Sequence, residues 1–258
     1  MNEDNAGRAF IRATYYENMP GQSDQDMQLP QPPLERPADP GKKNIPLTKA
    51  GSLKIPSMDL RAAIENRRSV RAYADVPLNL DELSWLLWAS QGVEKTGFAM
   101  GSHRTYRTVP SAGARHPLET YLVLRAVSGV APGIYRYLAL DHILQEVDVS
   151  TDYSKDIAFI CKEQAFIEKA AATFVWMADE YRGVWRFRAR AYRHFFLDAG
   201  HVGQNLYLAA SNIGCGACAI GVFDDLALAR LLGADDKEFF PVYAATVGKL
   251  KRLPAEAE

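Results

Sequence analysis

Polar and apolar positions along the chain alternate between two rhythms. A helical rhythm occupies residues 58–66, with Ser57 as the expected N-cap and Asp59 in the acidic first turn. It returns at Asn79-Leu80-Asp81-Glu82-Leu83 and runs through Trp85, Leu86 and Leu87 towards Gly92. Further helices are predicted over 155–170, over 194–212 with Ile213-Gly214 closing the last turn, and over 224–232. Short apolar runs at 120–124, 172–177 and 242–247 read as buried strands, the second of them central, and 133–137 with 143–147 as the arms of a hairpin. Residues 93–116 show little periodicity and read as a long loop, a kind of segment that is usually functional. Helices and strands mix without strict alternation and without internal repeats, so the predicted class is α+β.

The region from about 20 to 56 is rich in Pro, Gln, Asp, Gly and Lys and poor in large apolar residues. It predicts an irregular arm, over residues 1–56, that wraps over something else or moves. The 258-residue chain is otherwise ordinary for a soluble globular protein, with 48% hydrophobic and 24% charged residues. Its net charge of −1 gives no basic field for nucleic acid or an anionic membrane. Three cysteines are too few for a disulfide scaffold, and the N-terminus lacks the apolar core of a signal peptide. No run approaches the ~18–20 apolar residues needed to span a bilayer. A cytoplasmic protein is the expectation.

Several motifs bear on chemistry. Arg67-Arg68-Ser69-Val70-Arg71 is either a solvated, charged helix end or an anion site built from guanidinium forks and a hydroxyl. Pro110-Ser111-Ala112-Gly113 is either a punctuated turn or a loop whose small residues let backbone approach a ligand. The 194–206 helix contains Gly200 and Gly203, each costing up to ~1 kcal/mol against Ala, which points to close packing on another helix of this or another subunit. His194 and His201 are seven apart, off the i, i+4 spacing of helical metal ligands, and read as structural.

The run from Gly214 to Phe223 holds Cys215 and Cys218, which lack both the helix N-terminal setting of a redox pair and the second pair of a zinc site. It is expected to be a glycine turn whose N–H groups point at a cofactor. Gly248-Lys249-Leu250-Lys251-Arg252 either adds charge for a phosphate or is a frayed basic tail. The stretch from Trp185 to Arg193 has the aromatic and basic mixture of a nucleic-acid surface, but the overall charge argues against that use.

Taken in order, Arg67-Arg68-Ser69-Val70-Arg71, Pro110-Ser111-Ala112-Gly113, the Ala199-to-Leu206 helix and Gly216-Ala217-Cys218-Ala219-Ile220-Gly221 resemble the FMN-dependent nitroreductase family, in particular its SagB-type dehydrogenase branch. The resemblance covers about 57–249. It implies an α+β fold, a central mixed or antiparallel sheet flanked by helices, in an intertwined homodimer with one FMN at each end of the subunit interface. Residues 57–258 would form the FMN-binding domain. By position, Arg67 and Ser69 would hold the FMN phosphate, with Arg68 in the same set, and Arg71 would lie toward the ribityl chain and the N1/O2 edge. Pro110, Ser111, Ala112 and Gly113 would approach the flavin bound mainly by the other subunit. Backbone N–H groups around Ala219, Ile220 and Gly221 would face N5 and O4. Lys249 is the remaining phosphate candidate, with Lys251 or Arg252 behind it.

No side chain is an obligate catalyst in this picture and no metal is called for; FMN carries the chemistry. The implied reaction passes electrons from NAD(P)H through FMN to a nitroaromatic or quinone-like acceptor by a ping-pong route. The alternatives are oxidation of a peptide azoline and flavin binding without turnover. Departures from the family pattern fall at Ala114 and His116, where many members have Asn and Gln. They fall also at Arg186-Phe187, where azoline-oxidising members carry Lys-Tyr.

Overall fold

The apolar runs assemble into a sheet covered on both faces. The computed structural model describes residues 3–234, 237 and 239–251. Its helices are α1 (Glu3–Ala13), α2 (Leu60–Asn66), α3 (Leu80–Gln91), α4 (Ser154–Ile160), α5 (Glu180–Phe187), α6 (Ala191–Asn212) and α7 (Asp225–Leu231). Its strands are β1 (Asn44–Pro46), β2 (Val93–Ala99), β3 (Ser102–Arg107), β4 (Leu118–Leu124), β5 (Gly133–Leu138), β6 (Ile143–Asp148), β7 (Ala172–Asp179), β8 (Cys215–Ile220) and β9 (Phe239–Lys249). Seven strands form the main sheet in the order β1-β6-β5-β4-β7-β9-β8, and β2 pairs with β3 as a separate ribbon. All these pairings are antiparallel.

Every residue of β4 and β5 is buried, which is why these strands read as continuous apolar runs and not as alternations. On one face Leu122, Leu124, Phe174 and Trp176 pack with Leu83, Leu86 and Leu87 of α3 and Phe195 and Leu206 of α6. On the other, Tyr121, Val123, Val175 and Met177 pack with Ile157 of α4 and Leu228 of α7. Helix α3 starts where a capping box predicts: the Asn79 side chain accepts from Glu82 N–H and the Glu82 side chain from Asn79 N–H.

The structure revises several boundaries. The cap of α2 is Asp59, which accepts from Ala62 N–H at 2.9 Å, and not Ser57. The helix expected over 155–170 ends at Ile160, because Lys162 and Glu163 take left-handed backbone angles. The expected 93–116 loop contains the β2–β3 ribbon. Its two-residue turn puts Met100 (φ 51°) and Gly101 (φ 73°) in the left-handed region, as a type I′ turn requires. The sequence carries no Asn-Gly there to announce it. Gly214 does turn (φ 66°), but the run after it is strand β8, not a glycine turn. Within the expected irregular arm, Asn44–Pro46 joins the main sheet as its edge.

The segment after α2 is laid against the end of β8 and β9. Ser69 forms a parallel bridge to Ala217, and Val70 N–H donates to Ala217 O at 2.8 Å. Tyr73 bridges Leu250, and Ala74 N–H donates to Lys249 O at 2.9 Å. Gly216 and Gly248 are directly opposed across the two strands. A Cβ on Gly216 would lie 2.6 Å from Val70 Cβ, and one on Gly248 2.8 Å from the Tyr73 ring. The glycine pair is a floor on which the arginine segment rests.

Gly216→Ala therefore forces Val70 off the strand and should lower unfolding free energy by about 1–3 kcal/mol. Urea denaturation checks this, and Gly200→Ala, at a helical glycine with nothing within 4 Å of its Cβ position, should not destabilise.

Candidate functional site

Two groups of the predicted residues are brought together and a third stands apart. Arg67, Arg68, Ser69 and Arg71 line the segment bridged to the middle of β8, with Ala219, Ile220 and Gly221 further along that strand and Lys249 opposite Cys215 at its other end. Among the described residues none of Arg67, Arg68 and Arg71 has a carboxylate partner. Arg67 stands over the Tyr207 ring at 5.1 Å, Arg71 over the Phe166 ring at 5.9 Å, and Arg68 donates to the carbonyls of Glu65 and Arg67. Lys249, by contrast, is ion-paired with Glu82. Arg252 lies outside the described residues, and Lys251 is exposed. At Gly221 the chain is open, with no heavy atom within 4 Å of a Cβ position.

The Pro110–Gly113 turn sits elsewhere. Ser111 Oγ donates to Asp198 Oδ2 at 2.6 Å and accepts from His116 N–H at 2.9 Å, while Ala112 N–H donates to Asp198 Oδ1 at 3.3 Å. Burial pushes the Asp198 carboxyl up, against the pull of these two donors. Asp198 and Tyr207 lie on the same helix, about 13 Å apart at 1.5 Å per residue, so one chain does not bring this turn to the arginine segment. Gly113 (φ 58°) is pressed against Arg186 and Phe187, and Ala114 (φ 53°) and His116 (φ 45°) also hold left-handed angles. Asn tolerates that conformation better than Ala. The Ala114 departure is thus a backbone matter as much as a loss of side-chain contacts. His116 is buried among Arg107, Arg182 and Arg115; burial first, then these charges, push its imidazole down to about 2, so it stays neutral.

The basic, aromatic stretch from Trp185 to Arg193 faces the protein's own N-terminal arm, not a nucleic acid. Arg188 donates to the carbonyls of Met19, Pro20 and Gly21, Arg190 to that of Thr14, and Arg193 to that of Ile11. Trp185 Nε1 donates to Leu29 O and Arg186 to Gln25. Gln31 exchanges hydrogen bonds with the backbone of His103 in the ribbon. The arm thereby ties α5 to β3.

A buried carboxylate anchors this wall. Glu119, at the start of β4, pairs with Arg182 (2.7 Å) and Arg136 (3.0 Å) and accepts Arg36 N–H of the arm (3.0 Å). Burial alone would raise its pKa, but the two guanidiniums outweigh it and hold the carboxyl at about 2.

The two cysteines of β8 are buried and free, and burial pushes the Cys215 thiol up to about 11. His194 packs edge-on against Phe187 and His201 is exposed. Among the described residues no group of three or more His, Cys, Asp or Glu is placed to hold a metal ion, and no helix is long and apolar enough to cross a membrane. Sequence reasoning missed Asp198, Tyr207 and Glu119. An acid inside an apolar helical run was a usable signal for Asp198; Tyr207 gave none, since an aromatic at helical spacing reads as core.

With this geometry in hand, comparison with known proteins defines the class. The chain matches the nitroreductase family over residues 64–249 and belongs to it; it is an oxidoreductase. A Methanocaldococcus jannaschii protein named as a nitroreductase is 33% identical over 195 residues, covering 76% of this chain and 93% of that protein. The trifolitoxin-processing protein TfxB of Rhizobium leguminosarum is 30% identical over 53% of this chain, which spans only 38% of TfxB. Among solved structures, a Ralstonia eutropha protein described as a nitroreductase superposes with a TM-score of 0.67 at 25% identity, over 87% of this chain and 96% of its own. A chain of the Escherichia coli microcin synthetase McbBCD complex shares the fold, with a TM-score of 0.59 at 20% identity over 80% of this chain and 78% of that one.

Glu119→Gln leaves Arg182 and Arg136 without their counter-charge and should cost about 3–5 kcal/mol at neutral pH. Because the folded carboxyl titrates below its ordinary value of 4.5, its contribution is full above that pH and fades as pH falls towards 2. Denaturation at stepped pH should show a steep acid loss in the native chain and a flatter one in the variant.

Proposed function

We propose that this nitroreductase-family oxidoreductase binds FMN at the arginine segment and passes electrons from NAD(P)H to a small electron-poor acceptor, nitroaromatic or quinone-like. The observation that carries the reading is the set of guanidiniums on Arg67, Arg68 and Arg71. Among the described residues they have no carboxylate to neutralise them, and their segment is locked against β8 and the end of β9. A phosphate needs such charge together with hydroxyl donors, and Ser69 supplies one. The flat ring needs a shallow, uncrowded strand end, and Gly221 leaves space there. The donor set fits the group.

In this reading Arg67, Arg68 and Ser69 bind the phosphate. Lys249 adds an ammonium whose three donors are shared with Glu82. The cation of Arg71 favours negative charge at the pyrimidine edge of the ring, which assists its reduction. Backbone N–H around Gly221, just past the end of β8, holds the opposite edge, since Ala219 N–H is already given to the Tyr207 hydroxyl. FMN, when bound, supplies the hydride chemistry, and the side chains need only bind and polarise it. The Pro110–Gly113 turn stands about 13 Å along α6 from Tyr207, and in this reading a second copy supplies it in a homodimer. Phe196 and Leu197 of α6 and Leu60 and Ile64 of α2 are exposed and apolar, and offer surface for that contact. The N-terminal arm, on this view, is an accessory of the flavin domain that braces the wall of α5 and the ribbon.

The likeness to a trifolitoxin-processing protein favours a second reading, oxidation of an azoline in a peptide. The side chains at Arg186 and Phe187 weigh against it. Phe187 has no hydroxyl, and Arg186 carries no base at neutral pH and is tied to Gln25.

Purified protein given FMN should turn yellow, bleach on anaerobic addition of NADH or NADPH, and recover colour with a nitroaromatic or quinone. Arg67→Ala should weaken FMN binding about tenfold or more. Bleaching by neither dinucleotide would remove the NAD(P)H donor from the scheme.

A further inference from the structure

The bridge between Ser69 and Ala217 is the start of a parallel ladder that stops after one step. Val70 N–H donates to Ala217 O, and the next rung of such a ladder runs from Ala219 N–H to Val70 O. That rung is not made. Val70 O instead accepts the Tyr73 hydroxyl at 2.7 Å, and Ala219 N–H donates to the Tyr207 hydroxyl at 2.8 Å. Each end of the missing rung finishes on a phenol, and the segment leaves the strand just before Arg71. Tyr207 has two more contacts there: its hydroxyl is 3.0 Å from Ser69 Oγ, and its ring lies under the Arg67 guanidinium.

The hydrogen count at Tyr207 leaves it a donor for the Ser69 contact, in which either oxygen can give the hydrogen. A phenol has one hydrogen and accepts through its lone pairs. Its Ala219 partner is a pure donor, so the Tyr207 hydrogen is available for Ser69 Oγ. In that arrangement the Ser69 oxygen accepts from Tyr207 and its own hydrogen remains free to point outward. A phosphate accepts hydrogen bonds and gives none in its dianionic form, so an outward hydroxyl hydrogen is what it requires. The same ring holds the Arg67 guanidinium by a cation–π contact.

We propose that Tyr207 is the positioning residue for the phosphate end of the flavin site, orienting the Ser69 hydroxyl through its own hydroxyl and the Arg67 fork through its ring. This rests on the FMN reading given above and adds to it a residue on α6 that need not touch the cofactor. It also separates the two functions of one side chain: Tyr207→Phe removes the hydroxyl and keeps the ring, whereas Tyr207→Leu removes both.

The test compares FMN with riboflavin, which lacks the phosphate, by quenching of flavin fluorescence. Tyr207→Phe should weaken FMN binding about tenfold while riboflavin stays within about twofold of the native chain. Tyr207→Leu should lose about a further threefold for FMN. Ser69→Ala should mimic Tyr207→Phe, and combining the two should add little, as expected for residues acting through one another. The proposal is overturned if Tyr207→Phe binds FMN as the native chain does, if it loses FMN and riboflavin equally, or if the two substitutions act additively. A native chain that takes up neither flavin would instead defeat the flavin reading itself, and this assignment with it.

Discussion

The contact of Val70 and Tyr73 with the opposed glycines 216 and 248 is the constraint from which the rest of the site follows. Two strands lacking side chains at one level let a third segment settle onto their faces. That seat sets where Arg67, Ser69 and Arg71 stand, and it does so through main chain and aliphatic packing, not through the charges themselves. Arg68 and Arg71 are exposed, Arg67 is half-buried over Tyr207, and among the described residues none has a carboxylate, because the apolar and glycine contacts already hold the segment. Fixed in this way, cationic side chains can present charge outward without first being gathered by an anion.

The second wall is built on the opposite principle. Around Glu119 the charges are interior and paired with one another and with the arm. A buried network of this kind fixes geometry more than it adds stability, since desolvation offsets most of the Coulomb attraction. The protein therefore uses guanidinium groups in two ways within one fold: unneutralised at the sheet end, and neutralised or bound to carbonyls where α5, the ribbon and the arm meet.

Much of the scaffold was legible from the residue pattern. The apolar runs that became β4 and β7 read as buried strands, and the Asn79-to-Leu83 signal fell at the start of α3, whose capping box the structure supplies. The ribbon of β2 and β3 escaped because few of its side chains enter a core and the first residue of its turn, before Gly101, is Met100, which carries no turn signature. Helix α5 escaped because the run from Trp185 to Arg193 mixes basic and aromatic residues, and the partners of Trp185 and of Arg188 just after the helix are carbonyls more than a hundred residues away in sequence. At the candidate site, the arginine segment and β8 were singled out by motif, and the structure adds the contact between them at Ala217. The Pro110–Gly113 turn was found too, but its distance from the others depends on helix geometry that no motif encodes. Tyr207 was invisible because its importance lies in a hydroxyl, and the pattern of an apolar helix registers only its ring.

The way the N-terminal arm is held has a consequence of its own. Arg188, Arg190 and Arg193 bind carbonyl oxygens of residues 11–21, groups that every amino acid carries. Such a clamp reads mostly the course of a chain, and the letters it does read are few: the Thr14 hydroxyl, which Arg193 also binds, and the Tyr15 and Tyr16 rings under Arg193 and Arg190. Much of the segment's remaining side-chain identity is accordingly open to drift over generations, or to being rewritten by design, while the strap keeps its place so long as the turns that aim those carbonyls survive.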